Sequence, residues 1–174
     1  RQLDPAGSVL LVGSEVARPY LRSCLPDRFL AGRGRMVCFA ADESWYVQNA
    51  IVMQTGRRAA SLDPQRDVVT FDSGEEIAFD QLLLATGASP RRLAIPGADL
   101  PNLYYFHDLA DAARLRNGVR QAMAEAGPAR TARAVVIGGG PLGVELAWQL
   151  RQAGFRVDLL VRGEWPWSRF ADET

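Results

Sequence analysis

The pattern of apolar and polar positions changes character along the chain. SVLLVGSE (residues 8–15) is a short apolar run stopped by Gly-Ser, the pattern of a buried strand ending at a turn. Residues 18–35, RPYLRSCLPDRFLAGRGR, show no period and read as a basic, irregular loop broken by Pro and Gly. DESWYVQNA (42–50) predicts a short helix with Asp42 as its N-cap, followed by a strand in IVMQTG (51–56). DVVTFDSGEEIAF (67–79) places two short strands around Ser73-Gly74 and predicts a hairpin. QLLLATGASP (81–90) is a continuous apolar run bounded by Gly and Pro, as expected of a fully buried strand. From Asp108 the period becomes helical. Leu109, Ala112, Leu115, Val119 and Ala122 share one face, Asp108 caps the start and Gly127-Pro128 ends it. A strand at Ala134–Ile137, a glycine turn, a helix closed by Gly154 and the strand RVDLLV (156–161) follow. The chain reads as α/β, with residues 131–174 opening a βαβ unit.

Composition narrows the functional classes. The chain has 174 residues, 48% of them hydrophobic, enough for a packed core. Its 20 basic and 20 acidic residues cancel, so nucleic acid is not a favoured partner. No apolar run approaches the roughly 20 residues of a membrane-spanning helix. The start, RQLDPAG, has neither an initiator Met nor an apolar signal core, and the expectation is that the true N-terminus lies upstream of it. Cys24 and Cys38 form no CxxC pair and are too few for a metal cluster or a disulfide framework. The expectation is a cytoplasmic protein without a metal.

The glycine turn carries the clearest chemistry. In Gly138-x-Gly140-x-x-Gly143 the first glycine permits the tight strand-to-helix turn and the second lets backbone approach a pyrophosphate. The third brings helix and strand together. Phosphates then meet the free N–H groups and positive dipole end of the helix. Pro141 suits the first turn, where its missing N–H has no partner to lose. Gly138, Gly140, Pro141, Leu142 and Gly143 are therefore candidates for cofactor binding. The acidic residue that usually grips the adenosine ribose is absent. Val161 stands there, followed by Arg162 and Glu164. Arg162 is either a holder for a 2′-phosphate, which admits NADPH, or an ordinary solvated charge.

With these residues in view, three stretches resemble one family. FDQLLLATGASPRRLAIPGAD (79–99) resembles the ATG motif of flavoprotein pyridine nucleotide-disulfide oxidoreductases, and GGGPLGVELA (138–147) is similar to their NAD(P) fingerprint. VGSEVARPYLRSCLPDRFLAGR (12–33) is similar to the stretch after the second FAD-domain strand in the branch of rubredoxin and ferredoxin reductases and apoptosis-inducing factor. ESWYVQNAI and TGRRAASLDPQRDVVTFDSGEEIAFD match that branch in order and spacing. The resemblance implies a Rossmann-like three-layer FAD/NAD(P)-binding fold. Residues 1–103 would be part of an FAD domain lacking its first strand and glycine turn, 104–130 a linker helix, and 131–174 the start of an NAD(P) domain. On this expectation the chain is an internal piece, or a truncated homologue, of a larger reductase.

The resemblance also implies roles. Glu15, with Ser14 as competitor, falls where a carboxylate holds the FAD ribose, and Arg22 where a guanidinium meets the flavin phosphate or ribityl side. Ala59 sits where backbone meets adenine. Ala85, Thr86, Gly87 and Arg91 belong to the ATG motif and its following loop, with Arg91 facing the pyrophosphate. Glu145 is the candidate catalytic residue, since the family commonly pairs this Glu with a Lys near flavin N5. Here that Lys position is Asp27, followed by Arg28, so either Arg28 supplies the cation or the pair is absent.

The implied activity is hydride transfer from NAD(P)H to FAD, with electrons passed on to a rubredoxin- or ferredoxin-type carrier protein. A second reading uses Cys24 as the thiol of a coenzyme A-disulfide or peroxide reductase, its pKa lowered by Arg22 and Arg28. A third is a non-catalytic truncated binding module. Cys38 reads as a small buried hydrophobe and His107 as a cap-region residue.

Overall fold

The computed structural model describes residues 7–30 and 38–166, without the side chains of 28–30. It divides into two compact units, 1–20 with 39–88, and 21–38 with 89–174.

In the first unit β1 (Val9–Gly13) pairs in parallel with β2 (Ile51–Thr55), Val9 opposite Ile51 and Gly13 opposite Thr55. Short helix α1 (Glu43–Gln48) packs against β2 and buries Tyr46. Asp42 occupies its N-cap position but its side chain makes no cap bond. Strands β3 (Ala59–Asp63), β4 (Val68–Phe71) and β5 (Glu76–Ala78) form an antiparallel meander, including the predicted hairpin. Its turns follow local chemistry. Asp63 Oδ1 accepts from the N–H groups of Gln65 and Arg66, and Gly74 takes a positive φ of 82°. Val68 and Phe71 are buried, with the Arg57 guanidinium 4.2 Å above the Phe71 ring and bonded to Glu75 at 2.7 Å.

Two expectations for this unit are corrected. Residues 81–90 form no strand. They run without a ladder partner, and Leu83 and Leu84 are 87% and 65% exposed. A buried parallel strand needs neighbours on both edges and cover on both faces, and among the described residues nothing pairs with this segment. For the same reason β1 is a strand but not a buried one, since its two-stranded sheet leaves Val9, Leu10 and Leu11 substantially exposed.

In the second unit the expected loop proves partly helical. Arg22–Cys24 form a 3-10 turn and Leu25–Leu30 a π-helical turn, with Leu25 and Pro26 fully buried. The remainder of that loop, 31–35, lies outside the described residues. Burial of two apolar residues, which a polar loop reading ignores, orders this segment against α2 (Leu109–Ala126) and α3 (Pro141–Gln152). Helix α2 starts as expected. Asp108 accepts from the Asp111 N–H, and Asp111 in turn accepts from the His107 N–H and from Arg114. Gly118 inside α2 makes room for Tyr104, whose hydroxyl would lie 2.2 Å from a Cβ there. Strand β6 (Arg133–Ile137), α3 and β7 (Arg156–Leu160) complete the βαβ unit, with β6 and β7 parallel and Gly154 at a φ of 94° where the helix closes. Leu146, Leu150 and Phe155 form its core.

Candidate functional site

The glycine turn joins β6 to α3. Gly138 has a φ of 124°, a left-handed conformation that side chains rarely adopt, and its N–H donates to the Leu160 carbonyl at 2.9 Å. A Cβ at Gly143 would lie 1.9 Å from the Gly138 carbonyl oxygen, so the helix start and the turn touch backbone to backbone. Gly140 is the N-cap of α3, with no side-chain cap and no atom within 4 Å of where its Cβ would point. Pro141 opens the helix, and Leu142 is exposed. The result is a helix N-terminus with unpartnered first-turn N–H groups beside open space, the geometry that accepts a pyrophosphate.

Gly139, the middle residue of the three-glycine run and outside the GxGxxG spacing, is constrained as well. A Cβ there would fall 2.5 Å from Val161 Cγ1 and 3.4 Å from the Pro166 Cα. Val161 therefore packs on the turn, and the run of three glycines was the available signal. Arg162 and Glu164 are exposed just beyond it.

Glu145 and Gln149 stand one turn apart on α3 and face the π-helical turn. Gln149, nearly fully buried, donates to Asp27 Oδ1 at 3.3 Å. Burial raises the Glu145 pKa above the ordinary Glu value, and the nearby Asp27 carboxylate raises it further. Gln149, invisible as a candidate in the sequence, thus partners Asp27. The Arg28 side chain lies outside the described residues. Arg22 Nη1 donates to the His107 carbonyl at 2.8 Å. Cys24 and Cys38 are both half-buried.

In the first unit the Glu15 carboxylate accepts from the Tyr20 hydroxyl. A cleft of about 420 Å³ lies at the carboxyl ends of β1 and β2, lined by Val16, Arg18, Phe39, Glu43, Met53 and Thr55. Open α/β sheets place ligands at such strand ends. The Arg18 guanidinium sits 3.9 Å over the Phe39 ring. Neither Arg18 nor Glu43 stood out in the sequence, where each is one charge among many. Ala59 begins β3 at an irregularity in its pairing with β4. Ala85, Thr86 and Gly87, the last at a φ of 70°, are exposed, as is Arg91.

The pyridine nucleotide-disulphide oxidoreductase family model matches residues 1–174. The chain belongs to this family. As an oxidoreductase-family chain it is 35% identical to the biphenyl dioxygenase system ferredoxin–NAD(+) reductase component of Paraburkholderia xenovorans, over 91% of this chain and 36% of that protein. It is 34% identical to rubredoxin-NAD(+) reductase of Pseudomonas putida, over 92% of this chain and 40% of that one. The chain thus spans 36–40% of the length of these curated relatives. Among solved structures, the covalent putidaredoxin reductase–putidaredoxin complex matches with a TM-score of 0.82 and 28% identity, over 95% of this chain and 39% of the other. The family assignment bears out the α/β nucleotide-binding fold. Among the described residues no helix is long and apolar enough to cross a membrane, and no group of three or more His, Cys, Asp or Glu is placed to hold a metal ion.

Proposed function

We propose that this chain supplies part of the nucleotide-binding machinery of an FAD-dependent oxidoreductase, which takes hydride from NAD(P)H and passes electrons to a small carrier protein of the rubredoxin or ferredoxin type. The observation that carries this reading is the glycine turn, in which Gly143 lets backbone meet backbone and Gly140 leaves its space open, within a chain of this family. The curated relatives named for ferredoxin and rubredoxin reduction support the choice of acceptor. The division into a partial FAD region (1–103), a linker helix (104–130) and the start of an NAD(P) region (131–174) belongs to the same proposal. So does a cytoplasmic location, in keeping with sparse cysteine use.

Bound FAD would supply the redox chemistry, taking electrons as a pair and releasing them singly. The protein's part is position and electrostatics. The first turn of α3 binds the nicotinamide dinucleotide's pyrophosphate through backbone N–H groups, and Gly140 keeps the approach clear. Glu15, Arg22, Ala59, Ala85, Thr86, Gly87 and Arg91 are assigned to FAD. For Arg22 the assignment requires the guanidinium to serve both the His107 carbonyl and the cofactor, which its five donors permit. Glu145 is assigned to the reacting end as a carboxyl that holds its proton more tightly than an ordinary Glu.

The test is Gly140→Val in the full-length protein. A valine side chain fills the open space, so NAD(P)H-dependent flavin reduction in stopped flow is expected to be lost while FAD stays bound. Reduction at the wild-type rate would remove the glycine turn from the function.

A further inference from the structure

The end of β7 carries a determinant of which dinucleotide the glycine turn takes. In folds of this kind an acidic side chain after the second strand accepts from the ribose 2′-hydroxyl of NAD, while an Arg nearby accommodates the 2′-phosphate of NADP. Val161 occupies the acidic position here, and its side chain is directed onto the glycine turn, Cγ1 lying 2.5 Å from where a Gly139 Cβ would be. The Pro166 Cα lies 3.4 Å from the same point, so the chain meets the turn at both 161 and 166, with Arg162 and Glu164 exposed between them. Among the described residues no carboxylate forms an ion pair with Arg162, Glu164 included. Asp158, the one acid within β7, is engaged by Arg133 at 3.2 Å.

We propose that Val161 and Arg162 make the ribose end of this site a receiver for a 2′-phosphate, so that the protein binds NADP(H) about as tightly as NAD(H) or more tightly. This rests on the reading of the glycine turn as a dinucleotide site. Two effects act together. Val161 offers no acceptor to the ribose hydroxyls and no charge to repel a phosphate, and Arg162 presents a planar fork of donors matched to phosphate oxygens. Glu164 opposes them from two residues on. Both charges are exposed, where salt screens them, so the balance is read as a modest preference rather than an exclusive one.

Isothermal titration of the FAD-loaded, full-length protein with NAD+ and with NADP+ tests this without relying on turnover. The expected result is an NADP+ Kd no more than threefold above that of NAD+. Arg162→Ala, an exposed change that leaves the core intact, is expected to weaken NADP+ tenfold or more and NAD+ less than threefold. Arg162→Lys is expected to recover part of the loss, since it restores the charge but not the fork. A wild-type preference for NAD+ above threefold, or an NADP+ Kd unmoved by Arg162→Ala, overturns the proposal and leaves the dinucleotide site standing. Failure of both nucleotides to bind overturns the site itself and the proposal with it.

Discussion

At Glu145 burial and the neighbouring Asp27 act in the same direction, both favouring the protonated carboxyl. The folded chain therefore holds this proton more tightly than the unfolded chain does. The stabilisation is complete below the ordinary Glu range and is lost as pH rises through the raised folded value. Glu145→Gln mimics the protonated form. Thermal unfolding across pH is expected to show it raising the Tm at pH 7–8 and leaving it nearly unchanged near pH 4. An equal shift at both pH values would mean that Glu145 ionises like a free side chain. Asp27→Lys, which restores the cation expected from the resemblance, should lower the Glu145 pKa and flatten this pH dependence. The sequence shows Asp27 where the resemblance expects a Lys for Glu145, but not how that exchange is accommodated. Gln149 lies 122 positions from Asp27, and only folding brings its amide within 3.3 Å. A second residue-scale expectation concerns Asp108, whose carboxylate accepts from the Asp111 N–H at 2.8 Å. Asp108→Ala should cost about 1 kcal/mol in urea denaturation, the usual value of such a cap.

Elements whose determinants are local were legible. The α2 boundaries follow from Asp108 and Gly127, the hairpin from Ser73-Gly74, and the βαβ unit from its apolar runs around three glycines. The glycine turn gives a paired prediction at this scale. Gly143→Ala places a Cβ 1.9 Å from the Gly138 carbonyl, and backbone must move, so a loss of about 1–3 kcal/mol or more is expected on denaturation. Gly140→Ala adds a methyl to open space at a φ of −79°, and stability should fall by no more than about 1 kcal/mol, the cost of an alanine at an N-cap. Similar losses at the two positions would show that the turn is not held by the Gly138–Gly143 contact. The elements that were misread are those decided at a distance. The segment 22–30 is helical because Leu25 and Pro26 are buried against α2 and α3. Residues 81–90 carry a strand's composition without a strand's partner.

For the whole molecule, the sequence contains one GxGxxG turn, at Gly138–Gly143, while the proposed function involves two dinucleotide cofactors. The 174-residue chain purified by itself is therefore expected to carry far less than one FAD per chain, measured by flavin absorbance against protein concentration. A stoichiometric yellow chromophore would show that the FAD cradle is built without a glycine turn of its own. The sequence by itself determined the α/β class, the glycine turn, the caps of α2 and the family, because each depends on residue types at short fixed spacings. Tertiary structure alone decided what depends on distant groups meeting. It placed the Val161 side chain on the turn at Gly139. It joined Gln149 to Asp27 beside Glu145, and it gathered Arg18, Phe39 and Glu43 around the cleft at the strand ends. Burial and hydrogen-bond geometry are properties of the packed chain, and no local pattern encodes which partner a side chain will find.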